Sequence, residues 1–167
     1  DELPPFLTGG SMIENVTMTT ATWAPVPQKF EAGVPNMAQA VGLGAACKYL
    51  SELGIDALRE HEIAITGYAL DRMSTIEGIR IVGPLENVSR GAVVSFTLAD
   101  IHPHDIGQYV DSQGVAVRTG HHCAWPLARA MNVPATTRAS FYLYNDERDV
   151  DALVEALLGA QKYFGKF

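Results

Sequence analysis

Ile79-Arg80-Ile81-Val82-Gly83-Pro84 and, after a polar loop, Ala92-Val93-Val94-Ser95-Phe96-Thr97-Leu98 are the two runs from which the fold class of this chain is read. Both are short, rich in β-branched residues and bounded by glycine, proline and polar residues, which is strand composition. The stretch before them follows a different period. Leu58, Ile65, Ala69 and Met73 recur at roughly helical spacing, with Arg59, Glu60, Glu62 and Arg72 between them, and Asp56 reads as the N-cap. Further upstream, a helix rich in alanine and other small residues runs from Pro35 to Leu53 and is closed by Gly54. Downstream, a helix is expected from about Pro103 to Ser112, then a strand Val115–Val117 leading into the loop Arg118–Cys123. Another strand is expected over Arg138–Tyr144, followed by a final helix capped by Asn145 with Asp146 and Glu147 in its first turn. The pattern is α+β: helices packed on one face of a small, largely antiparallel sheet, with no internal repeat or low-complexity tract.

Residues 1–36 are rich in proline, glycine and threonine and hold one alternating run, Ile13 to Trp23, read as a strand or hairpin in an otherwise extended arm. With 167 residues and 47% hydrophobic content, the chain can bury a core as one domain, or one domain plus an arm. Its formal charge of -7 offers no basic stripe for a nucleic-acid backbone, so no nucleic-acid partner is expected. The longest apolar stretches, such as Ala92 to Phe96, are far too short to span a bilayer. No signal-like N-terminus is present, and the two cysteines do not resemble a disulfide framework, so a reducing cytoplasm is the expected location. The chain opens on Asp1-Glu2-Leu3-Pro4-Pro5 without an initiator Met, which reads as the middle of something longer, a processed or truncated product.

A thiol becomes a useful nucleophile where nearby positive charge favours its thiolate. Cys123 lies five residues after Arg118 on a glycine-containing loop beside His121 and His122. Against this stands the commoner fate of a free cysteine as an inert buried residue, the reading adopted for Cys47 among Ala45, Ala46 and Tyr49. Arg118 and Arg138 each flank a strand terminus, where a guanidinium can clamp a carboxylate through two parallel hydrogen bonds, although exposed arginines are common. His102, His104, His121, His122 and Cys123 raise a metal site. Adjacent side chains in extended backbone point apart, and His102 and His104 with Asp105 read better as a polar helix start, so no metal is expected. A Cys-His hydrolase has no identifiable third member.

Taken together, Arg118-Thr119-Gly120-His121-His122-Cys123, Arg138-Ala139-Ser140 and Phe30-Glu31-Ala32-Gly33 resemble the SUF-type, group II cysteine desulfurases, a family that also commonly cleaves selenocysteine. The likeness runs from Leu3-Pro4-Pro5-Phe6-Leu7-Thr8-Gly9-Gly10 through His102-Pro103-His104-Asp105 to Tyr144-Asn145. It implies the fold-type I pyridoxal-phosphate (PLP) architecture of class V aminotransferases, a homodimer, and conversion of L-cysteine to L-alanine with sulfur delivered to iron-sulfur cluster assembly. This chain would then be the C-terminal part. Residues 1–36 would be an extended arm ending the large PLP domain, 37–54 a connecting helix, and 55–167 the small domain with the cysteine loop. Cys123 would become the persulfide that a SUF-system acceptor collects, Arg138 would hold the substrate carboxylate, and Arg118 would stand beside the nucleophile.

The resemblance also implies what is lacking. The lysines Lys29, Lys48, Lys162 and Lys166 match no Schiff-base motif, and the family's lysine, stacking histidine and pyridinium-pairing aspartate lie upstream of Asp1. The chain alone is therefore expected neither to bind PLP covalently nor to turn over cysteine. Next to Gly33, Val34 replaces the family's usual threonine at the cofactor phosphate. A hydrogen bond to a charged group is worth about 1.5–3 kcal/mol, so weaker PLP retention is expected, with backbone amides near Gly33 remaining. Apolar faces of the arm and first helix should drive self-association. The competing readings are a PLP-dependent aminotransferase or lyase, which needs no thiol at Cys123, and a non-catalytic binding module.

Overall fold

The computed structural model describes residues 2–86 and 90–165. Asp1, residues 87–89 of the polar loop after Pro84, and Lys166 of the four lysines lie outside the described residues. The chain divides into two compact units, Asp1–Glu52 and Leu53–Phe167. No helix among the described residues is long and apolar enough to cross a membrane.

In the first unit the alternating run forms an antiparallel hairpin, β1 (Ile13–Val16) with β2 (Ala21–Trp23). Its turn is built by threonine: Thr17 N donates to Thr20 O at 2.8 Å and Thr20 N to Thr17 Oγ1 at 3.0 Å, a local side-chain bond that competes well with extended pairing. Met12, just before β1, is fully buried and its carbonyl accepts from Ala24 N. A 3₁₀ turn over Gln28–Phe30 follows, then α1 (Met37–Leu53). None of the α1 residues is buried, and Cys47 is exposed. This corrects the expectation of an inert core cysteine. Small neighbours such as Ala45 and Ala46 suggested a packed site, but they lie on a helix with no buried face.

Gly54, at φ 90°, breaks the chain between α1 and α2 (Ile55–Ser74) and is itself the N-cap of α2. Asp56 is not the cap; it lies in the first turn, where a carboxylate still favours the positive helix end. Ile65, Thr66, Ala69, Leu70 and Met73 form the buried stripe of α2. The strands β3 (Ile79–Val82) and β4 (Val93–Leu98) follow, and α3 (Pro103–Ser112) comes next. Then come β5 (Arg118–Gly120), the short α4 (Trp125–Ala130), β6 (Thr136–Ser140) and α5 (Glu147–Phe164). The sheet is antiparallel throughout in the order β3-β4-β6-β5, so the α+β expectation holds.

Alternation sets the two faces of the sheet. Val94, Phe96 and Leu98 of β4, with Thr137 and Ala139 of β6, are buried beneath α2, α3 and α5. The opposite face carries the row Val82, Ser95, Arg138, Arg118, each residue paired with the next across the four strands.

Two expected strands are shifted. Pairing starts at Arg118; Val115 and Val117 pack against the core, and Val115 N closes α3 by donating to Val110 O at 3.0 Å. A cavity of about 240 Å³ is lined in part by Val115, Val117, Ser140 and Phe141. The strand expected to reach Tyr144 stops at Ser140, where Asn145 folds the chain back: Tyr142 N donates to Asn145 Oδ1 at 2.9 Å and Asn145 N to Tyr142 O at 3.0 Å. Asn145 is thus a turn residue, and Asp146 caps α5. Its carboxylate accepts from Arg148 N, and Asp149 Oδ2 accepts from Asp146 N.

Helix α3 lies so close to β5 that Gly107 has no room for a side chain; a Cβ there would sit 2.6 Å from Thr119 Cγ2. Thr119 is a stiff β-branched residue inside a strand and cannot swing aside. Gly107→Ala should therefore destabilise the protein by about 1–3 kcal/mol in urea unfolding, because overpacking outweighs the helix propensity gained. A stabilised variant would show that α3 does not rest on β5 in this way.

Candidate active site

Register places Arg118 of β5 directly across from Arg138 of β6, and Ser95 is the other neighbour of Arg138 in that row. Among the described residues neither guanidinium has an ion pair or hydrogen bond, and Arg138 Nε is buried without a partner. Like charges directly opposite on an antiparallel pair cost roughly 0.2–1 kcal/mol. A carboxylate between two guanidinium forks would turn that repulsion into paired, charge-assisted hydrogen bonds. Two unneutralised guanidinium groups on adjacent strands can together bind a planar anion such as a carboxylate.

The chain leaves β5 through Gly120, at φ 119°, into a tight turn, His121-His122-Cys123-Ala124, closed by Ala124 N donating to His121 O at 2.8 Å. Both central residues have positive φ, 52° at His122 and 60° at Cys123. That is the signature of a type I′ turn, which glycine and asparagine favour. A Cβ in this region costs on the order of 1–2 kcal/mol per residue. Two contacts hold the turn. His122 Nε2 lies 2.9 Å from Thr136 Oγ1 of β6, and the ring of His121 stacks on Trp125 at the start of α4, with centroids 3.8 Å apart and planes 10° from parallel. Arg129 lies over the same Trp125 ring at 5.9 Å. Cys123, at the tip, is exposed.

Burial pushes the His122 pKa below its ordinary value of 6.5, the charge of Arg138 adds to this, and the hydrogen bond with Thr136 opposes it. Arg118 and His121 push it down further. These influences favour the neutral ring, and among the described residues its buried Nδ1 has no partner.

His102 caps α3, its Nδ1 accepting from His104 N at 3.2 Å, with Pro103 at the first helical position and Asp105 in the first turn. Among the described residues no group of three or more His, Cys, Asp or Glu is placed to hold a metal ion.

Cys123, Arg118 and Arg138 thus share the β5–β6 edge of the second unit, whereas Gly33 and Val34 belong to the first. Gly33, at φ 89°, donates its N–H to Gly10 O at 2.8 Å, so this amide is not free for an anion, and the Val34 side chain is exposed. The sequence reading missed Thr136 and Trp125. Nothing in sequence announced the stack of His121 on Trp125, because the two are brought together by a turn and not by a helix, and nothing paired His122 with Thr136.

The sequence model of the aminotransferase class-V family matches residues 1–153. A probable cysteine desulfurase of Streptomyces coelicolor is 55% identical over 165 residues, covering 99% of this chain and 40% of that protein. One from Mycobacterium leprae is 52% identical, covering 98% and 39%. The chain thus spans about two fifths of the length of the curated relatives it matches. Among solved structures, an Escherichia coli cysteine desulfurase in an S-sulfonic acid form superposes with a TM-score of 0.87 at 33% identity, covering 96% of this chain and 39% of its own. The apo cysteine desulfurase of Thermococcus onnurineus superposes with a TM-score of 0.88 at 31% identity, covering 96% and 40%.

Proposed function

The chain belongs to the class-V aminotransferase family, and from that premise we propose that the protein carrying it is a PLP-dependent cysteine desulfurase that leaves sulfur on Cys123. The observation that carries the reading is an exposed thiol on a strained turn directly after a strand whose first residue, Arg118, forms an unneutralised pair with Arg138. The names of the relatives support it.

Arg138 and Arg118 hold the substrate carboxylate. The Cys123 thiolate attacks the sulfur of the bound L-cysteine; an S–S bond forms, the substrate's C–S bond breaks, and its electron pair stays on carbon, which takes up a proton. The balance is L-cysteine plus the Cys123 thiol giving L-alanine plus a Cys123 persulfide. The persulfide then passes to an acceptor protein serving iron-sulfur cluster assembly. L-selenocysteine, which carries the same carboxylate, is a second substrate for this site. A cytoplasmic setting suits two unpaired thiols.

The residues of this chain fit the substrate better than the cofactor. Gly33 N–H is engaged, the Val34 side chain has no donor, Lys48 is paired with Glu52 at 3.7 Å, and Lys29 lies over the Phe30 ring at 5.1 Å. Electron withdrawal at the substrate carbon is the cofactor's contribution, and none of these residues replaces it. Exposed apolar residues of the first unit, among them Phe6, Met18, Val41 and Leu43, suit a second copy of the protein.

The product identifies the reaction. The PLP-loaded full-length protein that carries this chain should form alanine from L-cysteine; pyruvate and ammonia would indicate a lyase, and a 2-oxo acid dependent on an amino acceptor would indicate an aminotransferase.

A further inference from the structure

Cys123 is held by contacts that lie outside the reaction itself. Its turn has two consecutive side-chain-bearing residues at positive φ, a conformation that persists only where the surroundings impose it. The stack of His121 on Trp125 ties the turn to α4, a helix of the same loop. The contact between His122 Nε2 and Thr136 Oγ1 is different in kind. It ties the turn to β6, the strand that carries Arg138, and does so from a residue that is only 6% exposed and is registered against Gly120.

We propose that Thr136 is a positioning residue for sulfur transfer: through His122 it fixes the Cys123 turn to the strand that bears the carboxylate-binding arginine. This rests on the desulfurase reading and deepens it, because the distance from the held carboxylate to the attacking thiol is then set by a single strand. Thr136 and Arg138 are two residues apart in β6 and alternate with the core-facing Thr137. Removing the hydroxyl leaves both arginines and the thiol in place and releases only the tie between them. Arg138 and Arg118 still bind substrate, so the Michaelis constant is preserved and the loss falls on turnover.

The test compares Thr136→Val, which keeps the shape and removes the hydroxyl, with Thr136→Ser, which keeps the hydroxyl, in the PLP-loaded protein. For Thr136→Val, kcat for alanine formation should fall by about tenfold or more with KM for L-cysteine within about twofold of wild type, while Thr136→Ser restores kcat. A second readout needs no turnover. The alkylation rate of Cys123 by iodoacetamide, divided by that of the exposed Cys47 in the other unit, should change by more than about threefold in Thr136→Val and return in Thr136→Ser. Should Thr136→Val not fold, His122→Phe removes the same contact from the other side and should give the same two results. A kcat and an alkylation ratio both unchanged in the folded variant overturn the proposal, as does a loss that Thr136→Ser fails to restore. A wild-type, PLP-loaded full-length protein that forms no alanine overturns the desulfurase reading instead, and the alkylation ratio then decides the positioning role alone.

Discussion

Cys123→Ala is expected to lower alanine formation from L-cysteine by more than about 10³-fold in the PLP-loaded full-length protein, since it removes the atom proposed to accept the sulfur. The loss should be clean. Cys123 is exposed, and alanine keeps a Cβ at φ 60°, so neither a core contact nor the strain of the turn changes. Stability should stay within about 0.5 kcal/mol of wild type, as for other surface substitutions. Cys123→Gly should relieve the strain and stabilise the turn while losing activity equally. Activity retained in Cys123→Ala at the wild-type rate would mean that the thiol is not the sulfur acceptor and would favour the lyase or aminotransferase reading.

Arg138→Met should raise KM for L-cysteine so that kcat/KM falls by about 10²-fold, the equivalent of roughly 2–3 kcal/mol for a lost charge-assisted contact to carboxylate. The same variant should be more stable than wild type without substrate, by up to about 1 kcal/mol. It removes one of two like charges facing each other across β5 and β6 and a buried Nε without a partner. Arg138→Lys keeps the charge but not the planar fork and should fall between the two in kcat/KM. Opposite signs for function and stability are the signature of an anion site, and a variant that loses both would show that Arg138 is structural. Enzyme kinetics and thermal unfolding of the three proteins make the comparison.

The α+β class was legible because period and composition agree where the core is densest. Ile79–Val82 and the run to Leu98 are strands, and Ile65, Ala69 and Met73 do form a buried stripe. The errors lie where local signals compete. Asn145 and Asp146 are both good cap residues, and only the geometry shows that Asn145 is used by the preceding turn. Val115 and Val117 have strand composition, yet Val115 N is used to close α3 on Val110 O and the ladder begins only at Arg118. Cys47 looked buried by its neighbours and is not.

The residues of the site were legible as types, and their relationship was not. Arg118 and Arg138 are 20 positions apart, and only the register of β5 on β6 makes them a pair. The turn at His122 and Cys123 carries no glycine or asparagine to announce its positive φ. Its contacts, His122 with Thr136 and His121 with Trp125, are visible only in the folded chain.

Cys123 is proposed to receive the substrate's sulfur. Mass spectrometry of the Cys123 peptide, after brief exposure of the PLP-loaded protein to L-cysteine and trapping of thiols by alkylation, tests this most directly. This peptide should gain one sulfur atom, in step with the first equivalent of alanine and reversibly on reduction. An unmodified Cys123 peptide alongside full alanine formation would contradict it.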